Sequence, residues 1–238
     1  MSSAQRLEYL ERMGLQSWVL RRERASIEKP RAPVEPARPV VQDPPPADSS
    51  GEWATLRSEV AACTACALAA GRTQTVFGVG DVHARCMIIG EAPGEKEDRR
   101  GEPFVGPAGE LLNGMLRALG FGREQVFIAN VVKCRPPGNR DPAPAEAHAC
   151  SGFLHRQIAL VRPTLLLAVG RIAAHNLLGN ELPMARLRQT VHRFGPDGLP
   201  VLVTYHPGYL LRSPGEKRKV WEDLKMARRM LEHGSGAS

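Results

Sequence analysis

Four short apolar runs, at residues 86–89, 126–131, 164–169 and 201–205, limit most strongly how this chain folds. Each has the length and composition of a strand buried on both faces. Helical spacing of apolar residues separates them at 108–119, 144–161 and 171–178, with an earlier helix over 53–60 and a last one over 216–232. Strands that alternate with helices need right-handed crossovers, which cover both faces of a parallel sheet. The expected fold is therefore α/β, a three-layer α/β/α sandwich around a four-stranded parallel sheet.

The rest of the chain divides around that unit. Residues 7–22 place Leu7, Leu10, Met13, Leu15, Trp18 and Val19 near helical spacing, so residues 1–28 are expected to carry an amphipathic helix. Such a helix either docks on the main domain or binds a partner protein. Pro30, Pro33, Pro36, Pro39 and the run at 44–46 make 29–51 a Pro-rich disordered linker. The folded domain is expected over 52–234, and 235–238 as a disordered C-terminus.

A formal net charge of +7 points toward a polyanionic partner. No apolar run approaches the roughly 18 residues of a membrane helix, and no apolar leader opens the chain. The expectation is a cytoplasmic protein with no membrane role. Five cysteines in that setting argue against a disulfide framework and for metal ligation, reactivity or burial. Cys63 and Cys66 form a CxxC pair, and Cys134 and Cys150 lie about a helix apart. Thiolates suit zinc or an iron-sulfur centre, and the spacing leaves zinc, a cluster and plain burial all open. Cys86 sits inside an apolar strand and reads as core.

The first strand delivers the run Gly90-Glu91-Ala92-Pro93-Gly94 to the carboxyl edge of the sheet, where open α/β folds bind ligands. Beyond it come an acidic stretch with Glu97 and a loop in which Phe104 lies between glycines, placed to stack on a planar ligand. Asn130 closes the second strand with an amide that both donates and accepts. His206 closes the fourth. Three strand ends bearing Glu91, Asn130 and His206 predict one site. After His206, Tyr209, Leu210 and Leu211 read as an exposed apolar wedge beside Arg212, the composition that inserts into a base stack while gripping phosphates.

Taken together, residues 90–94, residues 101–106 (Gly-Glu-Pro-Phe-Val-Gly), residues 130–137 (Asn-Val-Val-Lys-Cys-Arg-Pro-Pro) and residues 206–212 (His-Pro-Gly-Tyr-Leu-Leu-Arg) resemble the family 4 uracil-DNA glycosylases. The resemblance runs from about Trp53 to the last helix and leaves out the tail and linker. It implies a uracil-DNA glycosylase-like fold and a [4Fe-4S] cluster on Cys63, Cys66, Cys134 and Cys150 with a structural role. It implies that uracil is flipped from DNA, stacked on Phe104 and read by Asn130, with Glu97 against C5 and Ala92 among the contacts. His206 would stabilise the leaving base and Glu91 would act on the water or the sugar. An aspartate used by other branches of the superfamily has Ala92 at the matching place. Leu210, Leu211 and Arg212 would contact the DNA. One relative becomes covalently trapped through a histidine in an inserted loop after the second strand; residues 136–142 here contain none, so a free abasic site is expected.

The expected enzyme is a monomeric, monofunctional glycosylase acting on uracil-containing DNA. A rival reading is a nucleic-acid-binding module whose strand-end residues only hold a base. A third is a polymerase accessory factor, recruited to a replication or repair protein by the N-terminal helix.

Overall fold

The computed structural model describes residues 49–233. The expected N-terminal helix, the linker up to residue 48 and the tail 235–238 lie outside the described residues. Helix α1 (Ser49–Ala62) begins three residues before the expected domain start. It is followed by α2 (Leu68–Gly71), β1 (Val79–Gly80), β2 (Cys86–Gly90), α3 (Glu95–Arg100) and α4 (Pro107–Leu119). Next come β3 (Phe127–Asn130), α5 (Pro144–Val161), β4 (Leu165–Val169), α6 (Arg171–Leu178) and α7 (Met184–Leu187). The described part ends with β5 (His192–Phe194), β6 (Leu199–Thr204), α8 (Pro207–Arg212) and α9 (Lys217–His233).

The expected four parallel strands are present as β3, β2, β4 and β6, but the sheet has six strands in the order β1-β3-β2-β4-β6-β5. The additions are antiparallel edge strands of two and three residues. Segments that short carry no alternation, which is why the sequence reading stopped at four. Residues 95–100 and 207–212, where no helix was expected, are the short helices α3 and α8.

All five residues of β2 are buried, and its side chains alternate between two cores. Met87 and Ile89 join α1, α5 and α6 on one face, whereas Cys86 and Ile88 join α4 and α9 on the other. Met87, Ile88 and Ile89 are each 0% exposed. Each stabilises the fold by about 2 kcal/mol of apolar burial. Burial also pushes the Cys86 thiol up to about 12, so this cysteine is core, as its strand position implied.

Parallel register decides where the chemistry emerges. Gly90 pairs with Asn130, and Val169 pairs with Thr204, so β2, β3, β4 and β6 end at one edge. The end of β6 is fixed by a buried ion pair, Arg188 Nε to Asp223 Oδ2 at 2.8 Å. Thr204 Oγ1 donates to the same carboxylate at 2.7 Å, and the Arg188 guanidinium lies 4.5 Å above the Tyr205 ring. These contacts anchor the two residues that lead into His206.

Candidate active site

A cleft of about 360 Å³ opens at the carboxyl edge of the sheet, lined by Glu91, Ala92, Glu97, Phe104, Asn130 and His206, with Arg212 at its wall. The structure thus brings together the residues that sequence placed on separate strand ends.

Gly90 ends β2 directly against two of these side chains. A side chain there would come within 2.7 Å of the Phe104 ring and closer still to Asn130 Oδ1, so only glycine leaves both groups in place. Asn130 is 2% exposed, and its Oδ1 is buried without a hydrogen-bond partner. Burying an unpaired amide oxygen costs about 1–3 kcal/mol. A ligand with an N–H at that position removes the penalty. The Asn130 main-chain oxygen is held by the buried Lys133 Nζ at 2.8 Å, and Lys133 Nζ is held in turn by Gln157 Oε1 at 2.6 Å.

Phe104 adopts φ 54°, a left-handed conformation unusual for an aromatic residue. Its ring lies 5.5 Å from the His206 imidazole, with the planes 33° apart. Helix α8 begins at His206, whose Nδ1 accepts a hydrogen bond from Gly208 N at 3.0 Å. An accepting Nδ1 places the imidazole proton on Nε2. Burial, reinforced by the Arg212 charge and opposed by Glu97, holds His206 down to about 4. The ring is therefore a neutral Nε2–H donor at physiological pH. Gly170, at φ 104°, packs directly beneath it; a side chain would approach the His206 Cβ to 3.1 Å.

Glu97 stands in the first turn of α3, and its Oε1 accepts from Val105 N at 3.0 Å. This ties the acidic helix to the Phe104 loop and makes the carboxylate a fixed wall. The next residue, Asp98, is 2% exposed and accepts from Thr73 N at 2.9 and 3.0 Å.

Glu91 is pushed up to about 7, first by burial and then by the negative charge of Asp141; Arg171 opposes the shift. Asp141, with Asn139 and Arg140, forms a wall that the sequence reading did not assign to the site. The wall is rigid because Arg140 clasps Glu146 at the start of α5 through two hydrogen bonds of 2.8 and 2.6 Å. The available signal was the Pro- and Gly-rich run at 136–142, which marks a shaped loop without saying what it faces.

One expectation fails. Leu210 is 1% exposed and belongs to the core beside α4 and α9, so it is no wedge. The turn of α8 directs it inward and leaves Tyr209 and Leu211 at the surface, 37% and 45% exposed.

A second, much smaller cavity is lined by all four of Cys63, Cys66, Cys134 and Cys150. Three of the thiols meet N–H donors: Arg72 Nη1 lies 3.1 Å from Cys134 Sγ, Lys133 N 3.4 Å from Cys150 Sγ, and Ala65 N 3.5 Å from Cys63 Sγ. Among the described residues, no three Cys, His, Asp or Glu side chains are disposed to hold one metal ion. Four thiols around one shared space form a sulfur-only donor set of the kind that suits a soft metal centre. No described helix is long and apolar enough to cross a membrane.

The chain has recognisable relatives. The Uracil DNA glycosylase superfamily profile matches residues 77–225. A type-4 uracil-DNA glycosylase of Thermotoga maritima is 42% identical over 180 residues, covering 74% of this chain and 93% of the relative. That of Archaeoglobus fulgidus is 41% identical over 174 residues, covering 70% and 87%. A type-5 enzyme of Thermus thermophilus is 31% identical, covering 55% and 68%. The sheet, the cleft at its carboxyl edge and these matches lead to one conclusion: the chain belongs to the uracil-DNA glycosylase superfamily.

Proposed function

We propose that this protein is a monofunctional DNA-repair glycosylase that hydrolyses the N-glycosidic bond of uracil in DNA and leaves an abasic site. The observation that carries this reading is the buried, unpartnered Asn130 Oδ1 in a cleft that also offers the Phe104 ring and a neutral His206 Nε2–H. A pyrimidine presenting a ring N–H beside a carbonyl complements that set. Turning the nucleotide out of the duplex costs a few kcal/mol, least for a weakly paired base.

In the cleft, uracil stacks on Phe104 and gives its N–H to Asn130. The fixed Glu97 wall stands against C5, where a thymine methyl would collide. Steric exclusion is needed there, because one methyl changes affinity by only about 1–3 kcal/mol. As the water oxygen bonds to C1′, its proton passes to the Glu91 carboxylate. The C1′–N1 electron pair leaves on the base and spreads to an oxygen that accepts from His206 Nε2–H. A neutral donor aimed at developing negative charge acts where stabilisation lowers the barrier. Ala92 leaves Glu91 as the carboxylate of this loop nearest to that task. Leu211 and Arg212 contact the flanking DNA, Arg212 through phosphate.

Cys63, Cys66, Cys134 and Cys150 would hold a [4Fe-4S] cluster, which supplies cross-linking of three separate segments and no redox step. The shared cavity and its N–H···S donors support that assignment. A brown protein absorbing near roughly 400 nm is expected; a colourless, zinc-stoichiometric protein after anaerobic purification would count against it.

The function is tested by incubating the protein with uracil-containing oligonucleotide and then hot alkali. Scission at uracil is expected, without any denaturant-resistant protein-DNA band. An intact strand would return the protein to the class of binding modules.

A further inference from the structure

We propose that Lys133, braced by Gln157, is a positioning residue for Asn130: its ammonium grips the Asn130 main-chain oxygen and so sets the direction of the side-chain amide in the cleft. This rests on the reading of Asn130 as the group that accepts from the uracil N–H. Lys133 is 1% exposed and Gln157 on α5 is 0% exposed. The Lys133 ammonium is met by two neutral oxygens, Asn130 O at 2.8 Å and Gln157 Oε1 at 2.6 Å. Burying a charge against neutral groups is unfavourable, and an apolar side chain of similar size would fill the same space without that penalty. A lysine here therefore calls for a role that an apolar residue could not fill.

The strut spans three parts of the domain. Asn130 is the last residue of β3, and the chain leaves the ladder as Val131 N and Val132 N donate to Gly90 O and Glu91 O at 2.9 and 3.2 Å. Lys133 reaches back three residues to Asn130 O, while its own main chain is pinned at both ends: its oxygen accepts from Val76 N at 2.8 Å and its N–H meets Cys150 Sγ at 3.4 Å. Gln157 Nε2 donates to Phe77 O at 2.8 Å, which fixes the far end. Neither Lys133 nor Gln157 lines the cleft, so both act through Asn130. The Asn130 amide oxygen has no hydrogen-bond partner of its own, so its aim depends on how firmly the main chain that carries it is held.

The test measures single-turnover uracil excision at saturating DNA for Lys133→Met and for the double variant Lys133→Met with Gln157→Leu, which replaces both buried partners by apolar groups and leaves fewer polar atoms unpaired. Each is made in the wild-type and in the Asn130→Ala background, and the Asn130 side-chain NH2 signals are followed by 15N NMR where that residue is present. In the wild-type background each variant is expected to lose about 10- to 100-fold in rate, with DNA affinity unchanged and the amide signals displaced. In the Asn130→Ala background the same changes lower the rate by less than about twofold, because the group they orient is gone. A lysine that merely supports the fold would lower the rate by the same factor in both backgrounds. That result overturns the proposal, as does a wild-type rate or an undisplaced amide signal in either variant. If wild type excises no uracil while the amide signals still move, the uracil reading falls and the strut stands.

Discussion

The cleft at the sheet edge and the thiol cavity lie on the same domain but treat their polar atoms in opposite ways. The cleft is open at about 360 Å³ and leaves Asn130 Oδ1 without a partner. The thiol cavity admits only about 10 Å³, and three of its four sulfurs meet N–H donors. The amide oxygen leaves one acceptor unmet, whereas the sulfurs are met from within the chain. Lys133 joins the two regions, with its main-chain N on Cys150 Sγ and its Nζ on the Asn130 main-chain oxygen. A change at Cys150 removes one of those two bonds, whereas truncating a cleft side chain removes neither.

That asymmetry orders the expected effects. His206→Ala and Asn130→Ala remove groups proposed to act on the everted base, and each should lower single-turnover excision by about 100- to 1,000-fold. Visible absorbance and DNA affinity should stay near wild type; loss of colour would show that the two regions are not separable. Cys150→Ser should act in both, bleaching the protein, lowering its melting temperature and reducing excision together. If excision survived in the bleached protein, the cavity would have no bearing on the cleft.

Gly90→Ala sharpens the contrast, because the nearest atoms to the added methyl belong to Phe104 and Asn130. Excision should fall about tenfold or more, with iron content unchanged, and an unaltered rate would mean that these two side chains yield. Arg212→Gln should be mildest: binding weakens similarly across sequences and its salt dependence drops by about one phosphate contact. A large loss of turnover at saturating DNA would instead assign Arg212 to the base. The pH dependence has a stated sign. His206 is held down near 4, so it stays neutral and contributes no limb between pH 5 and 8. Glu91, near 7, must lose its proton, so the rate rises as pH increases through 7. A falling rate over that range, measured at constant ionic strength, would refute Glu91 as base.

Apolar runs and strand-helix alternation in the sequence determined the four central strands and the helices Pro144–Val161 and Arg171–Leu178. The motifs likewise marked Glu91, Glu97, Phe104, Asn130 and His206, because turn glycines and strand-end polar residues are local signals. Only tertiary structure decided the edge strands, since two- and three-residue pairings exist through their neighbours and not through any period of their own. It decided that Leu210 turns inward while Leu211 stays out, a matter of which face of a six-residue helix meets α4 and α9. It also brought Asp141 to the cleft that Glu91 lines and paired it with Arg171. Parallel register and crossover connections did this, and no spacing along the chain encodes a distance across strands.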